Sequence, residues 1–96
     1  MYEVRFSSAA ERYLKKLREK GLRDAYRVAL MRIAENPYIG QAKRGDLAGI
    51  YGYDVHYANV NYEIAYRVYE EGARLVVVVL AGSRENFYEQ LKRYIK

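Results

Sequence analysis

The sequence predicts an α+β fold in the order β-α-α-β-β-β-α, with a helical hairpin packed on one face of a small, largely antiparallel four-stranded sheet and a C-terminal helix. Three features predict it. Apolar and polar residues alternate over residues 2–6, 50–57 and 60–69, the period of a half-buried strand. Residues 8–35 carry apolar side chains at helical spacing, interrupted at Gly21. Residues 75–81 are continuously apolar, as in a strand covered on both faces.

Tyr2, Val4 and Phe6 face one side of the opening strand, Glu3 and Arg5 the other. Ser8-Ala9-Ala10-Glu11 fits a capping box, the serine accepting from one orphan amide while the glutamate reaches back to another. The first helix is expected to run to about Lys20, burying Ala10, Tyr13, Leu14 and Leu17, with Gly21 as its left-handed stop. A second helix, from about Leu22 to Glu35, presents Leu22, Ala25, Tyr26, Ala29, Leu30 and Ile33. It ends at Asn36-Pro37, because a residue before proline is pushed out of the helical region.

Gly40, Gly45 and Gly49, with Lys43, Arg44 and Asp46 between them, mark a basic, flexible loop. In the strand that follows, Tyr51, Tyr53, Val55 and Tyr57 share one face and Gly52, Asp54 and His56 the other. Ala58-Asn59 turns the chain into residues 60–69, where Val60, Tyr62, Ile64, Tyr66 and Val68 oppose Asn61, Glu63, Ala65 and Arg67. Glu70-Glu71-Gly72 makes the next turn. Gly82-Ser83 closes the apolar strand, and Ser83 is placed to cap a last helix over residues 84–95 with Phe87, Leu91 and Ile95 on one edge. The helical hairpin belongs on the tyrosine side, so the opposite face is expected to expose Asp54, His56, Glu63 and Arg67 beside Lys43 and Arg44.

The 96 residues are expected to form one domain, residues 1–96, large enough for a single core without staples. Absence of cysteine excludes a disulfide framework and Cys-based zinc sites. The longest apolar run falls far short of the roughly 20 residues that cross a bilayer, and the N-terminus carries no signal-peptide pattern. These features predict a soluble, cytoplasmic protein with no membrane partner. Twelve tyrosines accompany only two phenylalanines, and six of the twelve fall between Tyr51 and Tyr69. Such an excess fits either a half-buried sheet or a surface that stacks on RNA. Placing the strands decides for packing at Tyr51, Tyr53, Tyr57, Tyr62 and Tyr66, and leaves Tyr88 for chemistry.

No metal-ligand spacing, nucleophile elbow, phosphate-binding glycine loop or dinucleotide fingerprint is present, and a single histidine cannot build a zinc site. What remains is a polar sheet face bordered by cations on a chain of net charge +5, which suits a phosphate backbone. RNA cleavage by the 2′-hydroxyl needs a base, an acid and cations around the phosphorane. His56, Glu63, Tyr88, Arg84 and Lys43 are groups of that kind. The bland readings are cross-strand pairs for Asp54, His56, Glu63 and Arg67, and a surface ion pair for Arg84 with Glu85. Lys15, Lys16, Arg18 and Lys20 read equally as a solvated helix face.

The segment Gly82-Ser83-Arg84-Glu85-Asn86-Phe87-Tyr88-Glu89-Gln90-Leu91-Lys92-Arg93-Tyr94 resembles the C-terminal signature of RelE/ParE superfamily toxins of type II toxin-antitoxin modules. The element order, the Asn36-Pro37 helix end, Gly45-Asp46-Leu47-Ala48-Gly49 and Tyr62-Glu63-Ile64-Ala65-Tyr66 extend the resemblance over essentially the whole chain. It implies a toxin held by a cognate antitoxin in a hetero-oligomer. In the RelE-like branch such a toxin cleaves mRNA on the ribosome without a metal or other cofactor. In the ParE-like branch it inhibits DNA gyrase. By spacing, Asp54 and His56 fall where basic residues occur in that family, Arg84 matches the arginine after the last strand, and Tyr88 lies near the terminal tyrosine.

One position departs from the pattern. Glu63 stands where the superfamily commonly has an arginine, reversing a charge beside the expected phosphate. Arg67 shares the face but lies about 13 Å along the strand. The leading expectation is a ribosome-dependent endoribonuclease, with Lys43, Arg44 and Arg67 binding RNA and His56, Glu63, Arg84 and Tyr88 in the catalytic group. In one rearranged form Glu63 is the base and His56 the acid or cation. The alternatives are gyrase inhibition and a catalytically weak module that binds only its antitoxin. For the antitoxin, the last helix and the open sheet face are expected to offer a groove for an acidic segment that folds on binding.

Overall fold

The computed structural model describes residues 1–95. Strand β1 (Glu3–Phe6) leads into helices α1 (Ser8–Lys15) and α2 (Lys20–Glu35), a single-turn helix at Pro37–Ile39 and a short strand β2 (Gln41–Ala42). Another single turn, Gly45–Leu47, precedes β3 (Tyr51–Tyr57), β4 (Val60–Tyr69), β5 (Leu75–Ser83) and helix α3 (Phe87–Leu91). The sheet order is β1-β5-β4-β3-β2, with β1 parallel to β5 and every other pair antiparallel. The fold class is as expected, with one strand more: Gln41–Ala42 of the expected loop pairs with Gly52 and Tyr51. Among the described residues, no helix is long and apolar enough to cross a membrane.

Helix α1 starts one residue earlier than the capping box implied. Ser7 is its cap, accepting from the Ala10 amide at 3.1 Å while its own hydroxyl donates to the Val79 carbonyl at 2.5 Å. Gly21 lies inside the first turn of α2 instead of ending α1. Its role is close approach: a Cβ there would collide with the Tyr57 ring and hydroxyl. The link between the helices is residues 16–19, and Tyr57 holds it by donating to Glu19 at 2.9 Å.

The two helices cover the tyrosine side, as the alternation required. Ala10, Leu22, Tyr26, Ala29 and Ile33 pack on Val55, Ile64, Tyr66, Val76 and Val78, with Tyr51, Tyr53, Tyr57 and Tyr62 at the margin. Tyr66 is fully buried and donates to the Pro37 carbonyl at 2.6 Å; burial pushes its pKa up to about 12. Ala58 and Asn59 both have positive φ (50° and 64°), the two-residue turn whose twist matches a β-hairpin.

The apolar β5 lies between β1 and β4 and serves two cores through a bulge. Ala65 pairs with Leu80 and Tyr66 with Val78, so Val79 is the extra residue. Val79 and Leu80 therefore both face away from the hairpin, joining Ile50, Ala65, Phe87 and Leu91 in a second cluster. Two expectations fail here. The Ser83 strand position pairs with Tyr62 and the Arg84 amide donates to the Asn61 carbonyl at 3.0 Å, so the ladder outcompetes the expected cap and α3 begins only at Phe87. The groove expected for a partner is filled by α3 itself, since Phe87 and Leu91 are buried on the sheet.

Candidate active site

Asp54 and Glu63 are directly opposed across β3 and β4, on the face that α3 partly covers. The sequence predicted that Glu63 would be exposed. It is instead 1% exposed, because three segments close over it. The Tyr88 hydroxyl, from α3, donates to Glu63 Oε2. Lys43, from the segment after β2, brings Nζ to 4.0 Å from the same oxygen and to 4.8 Å from the Tyr88 ring centroid. Arg84, just past β5, places Nε 3.8 Å from Oε1 and Nη1 3.8 Å from Asp54 Oδ1. Oε1 is buried without a hydrogen-bond partner.

The backbone makes this crowding possible. A Cβ on Gly52 would lie 2.7 Å from Glu63 Oε2, 2.8 Å from Lys43 Cε and 3.1 Å from the Tyr88 oxygen. Gly52 thus floors the pocket that the four side chains share. Sequence reasoning passed over it, although a lone glycine in an alternating strand signals such close approach. Lys43 is fixed as well, its amide donating to the Ile50 carbonyl at 2.9 Å; the expected flexible loop is pinned there. Phe87 seats the neighbouring Tyr88, with ring centroids 5.3 Å apart.

Electrostatics follow from the burial. Desolvation, with the facing Asp54, holds the Glu63 carboxyl above its usual range, against the opposing pull of Tyr88 and Lys43. Burial and the adjoining carboxylate likewise raise the Tyr88 phenol, so it remains a proton donor. The cluster balances two cations, Lys43 and Arg84, with two carboxylates.

Of the residues singled out from sequence, Lys43, Glu63, Arg84 and Tyr88 meet at one point. His56 is exposed on β3, opposite Asn61 and diagonal to Glu63. Arg67 lies on the same face of β4, four residues from Glu63, with Nη1 beside Gly49. Arg44 is exposed, capping the turn at Gly45–Leu47 without a side-chain hydrogen bond.

A family model described as ParE-like toxin of type II bacterial toxin-antitoxin system matches residues 4–92. No curated protein sequence matches. Among solved structures, E. coli toxin RelE in the free state, a double arginine-to-alanine mutant, is similar with a TM-score of 0.76 and 23% identity, covering 99% of this chain and 98% of that one. The RelBE2 toxin-antitoxin complex from Mycobacterium tuberculosis gives 0.66 at 27% identity, over 86% of this chain and 98% of that one. The intact E. coli RelBE complex gives 0.68 at 23%, over 85% and 95%. With the matched residues spanning nearly all of its length, the chain belongs to the ParE-like toxins of type II bacterial toxin-antitoxin systems.

Proposed function

We propose that this toxin cuts mRNA on the ribosome by 2′-hydroxyl attack, with the Glu63 cluster as its active site. The observation that carries the reading is the convergence of Lys43, Arg84 and Tyr88, from three separate segments, on one buried carboxyl group. Lys43 and Arg84 hold the non-bridging phosphate oxygens and offset the charge that develops on the phosphorane. His56, exposed and diagonal to Glu63 across β3 and β4, takes the 2′-hydroxyl proton. The O2′–P bond forms and the P–O5′ bond breaks, leaving a 2′,3′-cyclic phosphate. Glu63 donates a proton to the departing 5′-oxygen, a role that suits a carboxyl held above its usual range. Tyr88 and the Lys43 stem cover Glu63, so they swing aside as RNA enters. Arg44 and Arg67, on the flanks, bind neighbouring phosphates.

The partner in this reading is an antitoxin, in line with the RelBE complexes among the structural neighbours. The test is induced expression without antitoxin, followed by mapping of transcript ends. Cuts that appear only during translation support the reading, and intact mRNA in arrested cells excludes it.

Inhibition of DNA gyrase by binding is the second reading. It is favoured by the internal charge balance of the cluster: among the described residues, both cations beside Glu63, Lys43 and Arg84, already face carboxylates. Loss of gyrase supercoiling on adding the purified toxin would select it.

A further inference from the structure

The proposed reaction brings an anion to a place where the cations already face carboxylates. Glu63 is the deeper of the two: Oε2 is shared by Tyr88 and Lys43, and Oε1 lies 3.8 Å from Arg84 Nε with no hydrogen bond of its own. Asp54 sits at the rim with about half of its side chain exposed, where water screens it. We propose that Glu63 is a built-in competitor for the substrate phosphate, so that an RNA phosphodiester binds to Lys43 and Arg84 as Glu63 takes up one proton. This inference rests on the phosphodiester reading of the site.

Among the groups around Glu63, the half-exposed Asp54 and the exposed His56 are the other acceptors, and Glu63 is the buried one whose charge the incoming phosphate opposes most directly. Lys43, from the segment after β2, and Arg84, after β5, are cations that hold the incoming anion. Tyr88 of α3 is already protonated. Asp54 of β3 keeps its Arg84 partner and its water. If Glu63 stayed ionised, the phosphate would add a third negative charge to a poorly hydrated pocket. Protonation removes that repulsion and turns the partnerless Oε1 into a donor aimed at a phosphate oxygen. It also loads the proton that the departing 5′-oxygen requires.

The probe is a 2′-O-methyl oligouridine, which cannot be cut and has no group of its own that titrates near neutral pH. His56 is the single histidine of the chain, so a His56→Ala background removes imidazole titration. Calorimetry of His56→Ala in two buffers of different ionisation heat should show close to one proton absorbed per oligonucleotide. Its Kd should rise by up to tenfold per pH unit above the usual carboxylate range. Adding Glu63→Gln should abolish the uptake and flatten the pH profile, whereas adding Asp54→Asn should preserve both. Binding without proton uptake overturns the inference, as does uptake that survives Glu63→Gln or is lost in Asp54→Asn. Failure of the His56→Ala protein to bind the oligonucleotide also overturns it. Because these readouts involve no cleavage, mRNA cutting by the unmodified toxin reports separately on the proposed function.

Discussion

The backbone of Gly52 lies directly beneath the Glu63 carboxylate, 2.7 Å from Oε2 to where a Cβ would stand. No side chain fits between them. Gly52→Ala should push Glu63 and the Lys43 stem apart, destabilise the fold by about 1–3 kcal/mol and abolish the proposed cleavage. Urea unfolding measures the first, and an active Gly52→Ala protein would show that the crowded geometry is dispensable.

Tyr88→Phe removes one hydroxyl and leaves a second buried oxygen of Glu63 without its donor. The expected loss is about 1–3 kcal/mol of stability, the penalty for an unsatisfied buried acceptor. Since the Tyr88 hydrogen bond lowers the Glu63 pKa, that pKa should rise further in the variant. Carboxyl titration by NMR would register the change, and an unmoved value contradicts it.

Stability should respond to pH through Glu63. Its folded pKa is raised above its unfolded value, so the folded state holds the proton more tightly. The associated stability is therefore present below the ordinary carboxylate range and falls as pH rises towards the raised value, by at most about 1.4 kcal/mol per pH unit. Glu70 and Asp24, both lowered, act at more acid pH, where stability is lost as pH falls. The difference between wild type and Glu63→Gln isolates the first effect, and identical pH slopes for the two proteins would refute it.

Arg84 approaches both carboxylates and is about half exposed, so its loss should weaken chemistry more than folding. Arg84→Ala is expected to lower cleavage by about 10²–10³-fold, the usual scale for removing one stabiliser of developing charge. His56→Ala should lower it by about 10²–10⁴-fold through loss of the proposed base. Single-turnover assays on programmed ribosomes separate these effects from binding.

Gly21 and Tyr57 form a second fitted pair, on the helix-covered face of the sheet. Gly21→Ala should destabilise the protein by roughly 1–3 kcal/mol, because the new methyl meets the Tyr57 ring. In a Tyr57→Ala background the same change should turn stabilising by up to about 1 kcal/mol, as alanine is the better helix residue. A double-mutant cycle without coupling would remove the contact from the account.

The pattern of alternation made the fold largely readable: it placed β3, β4 and the helix-covered tyrosines, and the apolar run placed β5 at the centre. What it could not convey was competition between neighbours. Gly21 carries the signature of a helix stop but is required by a ring from β3. Ser83 carries that of a cap but is claimed by the ladder to Tyr62. The same limit applies at the site. Periodicity put Glu63 on the right face, but its burial depends on Tyr88, Lys43 and Gly52, which converge from distant parts of the chain. Only the glycine inside the strand hinted at that convergence.

A constraint of length lies beyond the bulge at Val79. By inserting one residue opposite Ala65 and Tyr66, it changes the phase of β5, so that Val78 belongs to one core while Val79 and Leu80 belong to the other. Valine, isoleucine and leucine can interchange along this stretch at modest cost. Deleting Val79 would restore strict alternation and leave Leu80 opposite Ala65, so Arg84 would keep its side. Deleting a residue beyond the bulge, such as Ser83, with the bulge retained would instead move Arg84 by one position and carry it to the opposite side of the sheet from Glu63. The number of residues between Leu80 and Arg84 thus sets the aim of the charged site, while Val79 adds bulk to the second core without changing that count.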